Sequence, residues 1–398
     1  MAQSYLEAYG GQCFSFRNLD AAFAPQIFRP GCKLWREFFA EIGETKNRPV
    51  IFFDDVDDRN DKEDFLNALP ALAGKAYVVL IVRTKMELPF PADIIQMRAI
   101  TVPMLLAENK TLEPLDALRT IVITDGIPEL VQLFDFQKSF AENLPSLFVH
   151  DSAYFRYAES DLRRNFRTPE TYNILLYGMA TGHNRISELS EFSGFPQNKC
   201  DKYLKALDKA RLLETEQRKD VAGHIRTHYY PKGGYWKTWF RYVFPSQGHR
   251  LKPLEGDSLQ QLADDIDQTI VVEYFKTVCW KWMKKNYGDY YWDEILRFDD
   301  PKQQDVTVNG VHFDYVQATK DHTIYVKIWD DIGEGFPKAE FQRIEAATTA
   351  VRPFYENIYF LFSTGRACNY VEELRNLETV SVVDLKSLLG QKNKELFG

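Results

Sequence analysis

Two adjacent carboxylates follow a short apolar run near the start of the chain. Residues 50–53 are apolar, and Asp54 and Asp55 come directly after them. A buried strand that ends in carboxylates can hold Mg²⁺ and polarise a water molecule, which is the chemistry of nucleotide hydrolysis. That chemistry also needs a phosphate-binding loop of the form G-x-x-x-x-G-K-[ST], because its backbone amides and its lysine surround the phosphates.

The phosphate-binding loop is missing from the residues that precede Val50. The segment YGGQC has paired glycines, but it lacks a lysine and a hydroxyl at the required spacing. Without this loop we expect the chain neither to bind MgATP nor to hydrolyse it. The alternative interpretation of Asp54 and Asp55 is a solvated acidic turn that ends a strand.

A group of basic residues in the middle of the chain indicates nucleic-acid binding. Residues 169–231 read as three helices followed by two strands, an order that predicts a winged helix-turn-helix. Lys199, Lys202 and Lys205 fall on exposed positions of the third helix, and Arg226 lies in the wing. Such side chains contact phosphates and base edges in a major groove. Because acidic residues interrupt the same face, a winged helix that binds protein is the alternative.

The elements that must position these residues indicate an α/β protein. In the N-terminal third, apolar strands at 12–16, 50–53 and 76–84 are separated by amphipathic helices, which predicts a parallel sheet. A helix at 115–131 is expected to break at the DGIP sequence. The last third reads as helix, strand, strand, helix, strand, helix, with a hairpin at Asn309-Gly310.

The N-terminal elements resemble the AAA+, STAND-like ATPases of bacteria and archaea. In this comparison VIFFDDV is similar to the Walker B strand, with Asp54 at the metal-binding position and Asp55 at the position of the catalytic acid. Thr84 falls near the sensor position, and Arg98 matches the arginine that follows the sensor strand. The resemblance implies a truncated P-loop-type sheet, and ATP and Mg²⁺ are the cofactors of the intact family.

The C-terminal third resembles the PD-(D/E)xK nuclease-like domain that the same ATPases carry. The resemblance assigns Asp314 as the catalytic aspartate, Lys327 as the lysine that orients water, and Glu273 as the helical glutamate of the metal site. Tyr325 stands where the second strand carboxylate is expected, and His312 replaces another acidic residue. A metal at Asp314 and Glu273 is therefore expected to be weakly bound or absent. The structural alternative is an ion pair between Asp314 and Lys327.

These resemblances divide the chain into four expected regions. They are a truncated AAA+-like nucleotide-binding core at 1–110, a helical lid-like segment at 111–165, a winged helix-turn-helix at 166–245 and an α/β restriction-endonuclease-like domain at 250–398.

Composition and charge set the remaining bounds. The 398 residues are 45% hydrophobic and 27% charged, as in ordinary globular proteins. A net charge of −8 argues against coating nucleic acid through bulk charge, although it allows a local basic face. No apolar run approaches the roughly 20 residues of a membrane span, and no signal peptide is recognisable. The five scattered cysteines fit a reducing cytoplasm, so we expect a cytoplasmic protein without a membrane partner.

Together these observations favour binding over catalysis. Two catalytic centres have lost essential residues in one chain, so we expect a non-catalytic regulatory module with no cofactor. Its partner would be DNA, an intact ATPase or another protein, bound through the winged helix. One alternative is a metal-dependent DNA nuclease in which Asp330 or Asp305 replaces the lost ligand. The other is an ATPase whose P-loop is missing from this chain.

Overall fold

The computed structural model shows a mixed α/β protein whose chain divides into two compact units, Met1–Met97 and Arg98–Gly398. Among the described residues, no helix is long and apolar enough to cross a bilayer. The described residues are 12–15, 35–41, 48–54, 56, 61–82, 87–95, 98–219, 224–246, 257–287, 290–291, 294–298, 300, 302–351, 355–374 and 377–397.

The first unit contains a three-stranded sheet in the order β1-β2-β3, with both strand pairs parallel. The parallel pairing predicted for these strands is confirmed, whereas the P-loop-type architecture remains a prediction. The elements of this unit are β1 (Gln12–Ser15), α1 (Trp35–Glu41), β2 (Val50–Asp54), α2 (Lys62–Ala68), a 3₁₀ turn (Leu69–Leu72) and β3 (Tyr77–Leu80).

The apolar run of β2 forms the centre of this unit. Ile51, Phe52 and Phe53 are 2–5% exposed, as expected for the middle strand of a parallel sheet. The ring of Phe53 lies 5.1 Å from that of Phe65 and 5.8 Å from that of Phe39, between centroids. These contacts join the sheet to α1 and α2.

The second unit begins with five helices. The predicted break at DGIP is confirmed, because α4 ends at Thr124 and the next two residues, Asp125 and Gly126, have φ angles of 49° and 63°. The helices are α3 (Val102–Glu108), α4 (Pro114–Thr124), α5 (Pro128–Val131), α6 (Phe140–Leu147) and α7 (Ala153–Asn165).

Three more helices and an antiparallel hairpin follow in the predicted order. Leu189 of the second helix and Cys200, Leu204 and Leu207 of the third are 0–3% exposed and belong to one hydrophobic cluster. Their assignment to a winged helix-turn-helix remains a prediction. These elements are α8 (Glu170–Ala180), α9 (Ile186–Ser193), α10 (Gln197–Lys209), β4 (Leu213–Lys219) and β5 (Ile225–Pro231).

An aromatic segment follows the hairpin. Helix α11 (Gly233–Thr238) continues through a π-helical turn, Trp239–Val243. Trp236, Trp239 and Phe240 are 0–8% exposed, so these rings are part of the hydrophobic core.

The C-terminal part contains a long helical segment and a five-stranded sheet in the order β12-β11-β10-β9-β8. Strands β8 to β10 are antiparallel, and β10 to β12 are parallel. The hairpin predicted at Asn309-Gly310 is confirmed, with φ angles of 45° and 80° at the two turn residues.

The helical segment is α12 (Asp257–Ile266), a π-helical turn (Asp267–Val271) and α13 (Val272–Tyr287). The remaining elements are β6 (Tyr290–Tyr291), β7 (Glu294–Ile295), β8 (Gln304–Val308), β9 (Val311–Ala318), β10 (His322–Ile328), α14 (Lys338–Thr349), β11 (Glu356–Ser363), α15 (Asn369–Glu373), β12 (Val380–Asp384), α16 (Leu385–Leu388) and a 3₁₀ segment (Gln391–Phe397).

Two hydrophobic clusters cover opposite faces of the five-stranded sheet. Val326 and Ile328 pack in the cluster that contains α13, whereas Tyr325 and Leu361 pack in the cluster that contains α14. Alternate residues of β10 thus point to different helices, which decides where its charged side chains lie.

Candidate functional site

The four residues of the predicted nucleotide site are not all among the described residues. Asp54 is the last residue of β2, and Asp55 and Thr84 lie outside the described residues. Arg98 is an exposed residue at the start of the second unit. The assignment of these four residues to a nucleotide site therefore stays a prediction.

Asp314 forms a buried ion pair at the predicted nuclease-like site. Its side chain is 5% exposed, and Oδ1 lies 2.7 Å from Nζ of Lys276 on α13. Its second oxygen, Oδ2, accepts a 2.7 Å hydrogen bond from the backbone N–H of Ile328. Partial burial of the ammonium lowers the pKa of Lys276, but the charge and hydrogen bond of Asp314, with smaller contributions from Asp305 and Asp330, raise this pKa overall. Lysine thus neutralises a carboxylate that the family resemblance assigns to a metal.

The alternative pairing of Asp314 with Lys327 is wrong, because Asp314 pairs with Lys276 instead. The positions of Asp314 on β9 and of Lys327 on β10 explain why these two side chains do not pair. Lys327 is opposite Leu361 in the register of β10 and β11, and Leu361 packs on the α14 side of the sheet. Asp314 contacts α13 on the other side. Strand alternation therefore places the two side chains on opposite faces.

Glu273 has a different partner from Asp314. Its carboxylate is 53% exposed and lies 2.7 Å from Nζ of Lys237 on α11. The described residues contain no group of three or more His, Cys, Asp or Glu side chains arranged to hold a metal ion. The structure thus places Glu273 and Asp314 in separate ion pairs, each with a lysine.

Tyr325, which stands where the family resemblance would place a carboxylate, belongs to an aromatic cluster. It is 1% exposed, and its ring lies 5.0 Å from that of Phe313 and 5.6 Å from that of Tyr359. His312 lies nearer the surface, with Nε2 3.5 Å from Oδ1 of Asp305. Tyr325 is thus part of the core under α14.

The predicted nucleic-acid residues of α10 are all exposed. Lys199 lies over the ring of Phe195, with Nζ 4.1 Å from the ring centroid. Lys205 pairs with Asp201 at 2.6 Å, and this hydrogen bond raises the pKa of Lys205. Lys202 is exposed and has no ion-pair partner in the described part of the chain. Lysines at 199 and 202 are thus the ones most open to phosphate.

Two arginines of the β4–β5 hairpin form a cross-strand pair. Arg226 of β5 is directly opposite Arg218 of β4. Arg218 lies 2.8 Å from Glu216 and has its guanidinium carbon 5.7 Å from the centroid of the Tyr230 ring. Burial opposes its charge, but the field of Glu216 raises the pKa of Arg218, and that of Asp305 adds to it. The β4–β5 hairpin thus lies within electrostatic range of Asp305.

Sequence reasoning missed two carboxylates that join distant elements of the second unit, the buried Asp267 and the partly buried Asp125. Asp267, 3% exposed, accepts hydrogen bonds from Nε of Arg119 at 3.0 Å and 3.2 Å, which joins the π-helical turn to α4. Asp125 accepts a 2.7 Å hydrogen bond from the N–H of Gly234 at the start of α11. Only the turn chemistry of DGIP signalled Asp125, because its partner lies 109 positions away.

Comparisons with known proteins leave the family open. No protein-family model matches the chain. An uncharacterized protein of Methanocaldococcus jannaschii, MJECL04, is 28% identical over 128 residues, which span 31% of this chain and 28% of that protein.

Two solved structures show only distant similarity. Protein VC1899 from Vibrio cholerae is 10% identical with a TM-score of 0.19, covering 87% of this chain and 75% of that one. Can2 from Sulfobacillus thermosulfidooxidans, solved with cyclic tetra-adenylate, is 8% identical with a TM-score of 0.18 over 100% of both chains. Similarity at this level supports no conclusion about fold or activity.

Proposed function

We propose that this protein is a non-catalytic DNA-binding protein, a degenerate relative of the AAA+ ATPases, that contacts duplex DNA through its winged helix. The observation that carries the proposal is the exposed lysine row of α10. Lys199 and Lys202 have no carboxylate partner among the described residues, whereas Lys205 is paired with Asp201. Phosphate contacts by such lysines supply most of the affinity of a protein for nucleic acid.

The state of the nuclease-like site supports binding without hydrolysis. Phosphodiester cleavage in the resembling family needs a divalent metal on the strand carboxylates. Both oxygens of Asp314 already have partners, Lys276 and the N–H of Ile328. A metal would have to displace a lysine from a buried carboxylate and leave an ammonium group beside the cation. We therefore propose that neither Mg²⁺ nor ATP is a cofactor of this chain.

Charge reversal on α10 tests the proposal. We expect the double variant Lys199→Glu/Lys202→Glu to bind a labelled duplex at least about tenfold more weakly than the wild type. The slope of log K against log salt should fall in magnitude by about two, since each phosphate contact contributes about 0.9. Fluorescence anisotropy at several salt concentrations measures both quantities.

The control is Lys110→Glu/Lys386→Glu, which makes the same change in net charge at two exposed lysines outside the winged helix. This variant should bind within about twofold of the wild type. Equal weakening in both variants would show that only bulk charge matters. Absence of duplex binding by the wild type would contradict DNA binding and favour the protein-binding winged helix.

A further inference from the structure

The exposed surface of α10 is acidic along one side and basic and aromatic along the other. At about 100° per residue, Lys202, Lys205 and Lys209 form an outward stripe opposite the buried side of the helix. Asp201 and Asp208 lie along one border of this stripe, and Lys199 and Tyr203 lie along the other. A polyanion that follows the lysines is therefore repelled at one border and attracted at the other.

A row of aromatic rings extends from the border that attracts anions. Successive ring centroids are 6.0 Å apart from Phe195 to Tyr203, 5.1 Å apart from Tyr203 to Tyr172 and 3.8 Å apart from Tyr172 to Phe166. The first three of these rings are only partly buried. Nζ of Lys199 lies 4.1 Å from the Phe195 centroid and 5.7 Å from the Tyr203 centroid. The lysine thus joins the basic stripe to the row.

One cation also marks the far end of the row. Arg167 directly follows Phe166 in the chain and is exposed. Aromatic rings between cations are the combination that binds single-stranded nucleic acid, because rings stack with unpaired bases while cations contact the phosphates. In a duplex the bases already stack on one another, so aromatic rings beside a helix in the major groove cannot stack with them.

We propose that the partly exposed rings of Phe195, Tyr203 and Tyr172, with the buried Phe166 packed against Tyr172, are a stacking surface for unpaired bases, and that the ligand at this border of α10 is single-stranded DNA. This inference rests on the proposed function, since the same lysines hold the phosphates. It extends that function from duplex alone to DNA with an unpaired strand, such as a single-stranded tail next to a duplex.

The test uses the full chain with two probes, a labelled oligothymidylate and a labelled blunt duplex. We expect Tyr172→Leu/Tyr203→Leu to weaken oligothymidylate binding about tenfold or more, since loss of one base–ring stack alone weakens such binding by about that factor. Duplex binding should change less than about twofold. Tyr172→Phe/Tyr203→Phe keeps both rings and should bind oligothymidylate as the wild type does, which separates stacking from the hydroxyl groups.

Tyr355→Leu is the matched control, because it removes an exposed tyrosine of the C-terminal part of the chain. Ultraviolet cross-linking of the wild type to oligothymidylate provides a second readout, in which the modified peptide should contain Tyr172 or Tyr203. If the wild type binds both probes and the leucine variant shows no selective loss of oligothymidylate binding, the stacking surface is overturned and the proposed function stands. Cross-links at other residues would have the same consequence. Binding to neither probe would overturn the proposed function as well.

Discussion

Asp314 and Glu273 show how a neighbouring charge decides the role of a carboxylate. Asp314 occupies the position of a catalytic aspartate by resemblance, yet it is held by one lysine and one backbone N–H. A buried carboxylate requires such partners, because loss of hydration is otherwise too unfavourable. Glu273 is likewise paired with Lys237. Each acid of the predicted metal site thus has a cation from its own chain.

Asp125 predicts a pH dependence of stability. Burial raises its pKa from the ordinary 3.8 to about 7, although hydrogen bonds from the N–H groups of Gly234 and Tyr235 lower it in part. The folded state thus binds this proton more tightly than the unfolded state. Its contribution to stability is fully present below about pH 4 and is lost as the pH rises towards 7.

Asp125→Asn should remove this dependence, because asparagine keeps an oxygen for Gly234 and carries no charge. We expect the free energy of unfolding of the variant, relative to the wild type, to rise by more than about 1 kcal/mol from pH ~5 to pH ~8. Urea unfolding at each pH measures the difference. Asp321→Asn provides the control, since it removes the same charge at an exposed position. A flat difference for Asp125→Asn would contradict the expectation.

At the scale of elements, the position of α11 depends on close backbone contact with α4. A Cβ atom added to Gly234 would lie 2.1 Å from the backbone oxygen of Val122. A separate hydrogen bond joins α11 to α7, in which the hydroxyl of Tyr235 donates to the backbone oxygen of Tyr154 at 2.8 Å. Only glycine at position 234 lets α11 approach α4 this closely.

Gly234→Ala should therefore destabilise the protein by more than about 2 kcal/mol, because the clash is with backbone and α11 must move. Thermal or urea unfolding checks this expectation. Gly182→Ala is the comparison, since position 182 has a φ of 101° but no atom within 4 Å of an added Cβ. That variant should lose only about 1 kcal/mol through backbone strain. Similar losses in the two variants would show that contact with Val122 is unimportant.

At the scale of the whole molecule, the residues assigned to DNA binding all belong to one compact unit. Helix α10, the β4–β5 hairpin and the aromatic row lie within Arg98–Gly398, and the carboxylates at the end of β2 lie within Met1–Met97. The proposed binding function therefore needs only the second unit.

A chain of residues 98–398 expressed alone should fold cooperatively and bind both DNA probes within about threefold of the full chain. Circular dichroism melting and anisotropy measure the two properties. Residues 1–97 serve as the control and should bind neither probe. A folded second unit that binds much more weakly than the full chain would show that the first unit contributes to the interface.

The sequence by itself determined features that depend on neighbouring residues. Apolar periodicity predicted the parallel strands of the first unit, the DGIP turn predicted the end of α4, and Asn309-Gly310 predicted the β8–β9 hairpin. These signals are local because backbone conformation responds chiefly to adjacent side chains and turn chemistry. The same reasoning found the exposed lysines of α10.

Only the tertiary structure decided which charges meet. Asp314 pairs with Lys276 rather than Lys327, because strand alternation and helix packing place the two lysines on different faces of the sheet. Asp125 and Gly234 meet across 109 positions, and Arg119 and Asp267 across 148. Such pairs depend on which faces of distant elements pack together, and no local pattern contains that information. The pairing of each carboxylate, and with it the choice between a metal site and an ion pair, therefore follows from the packing.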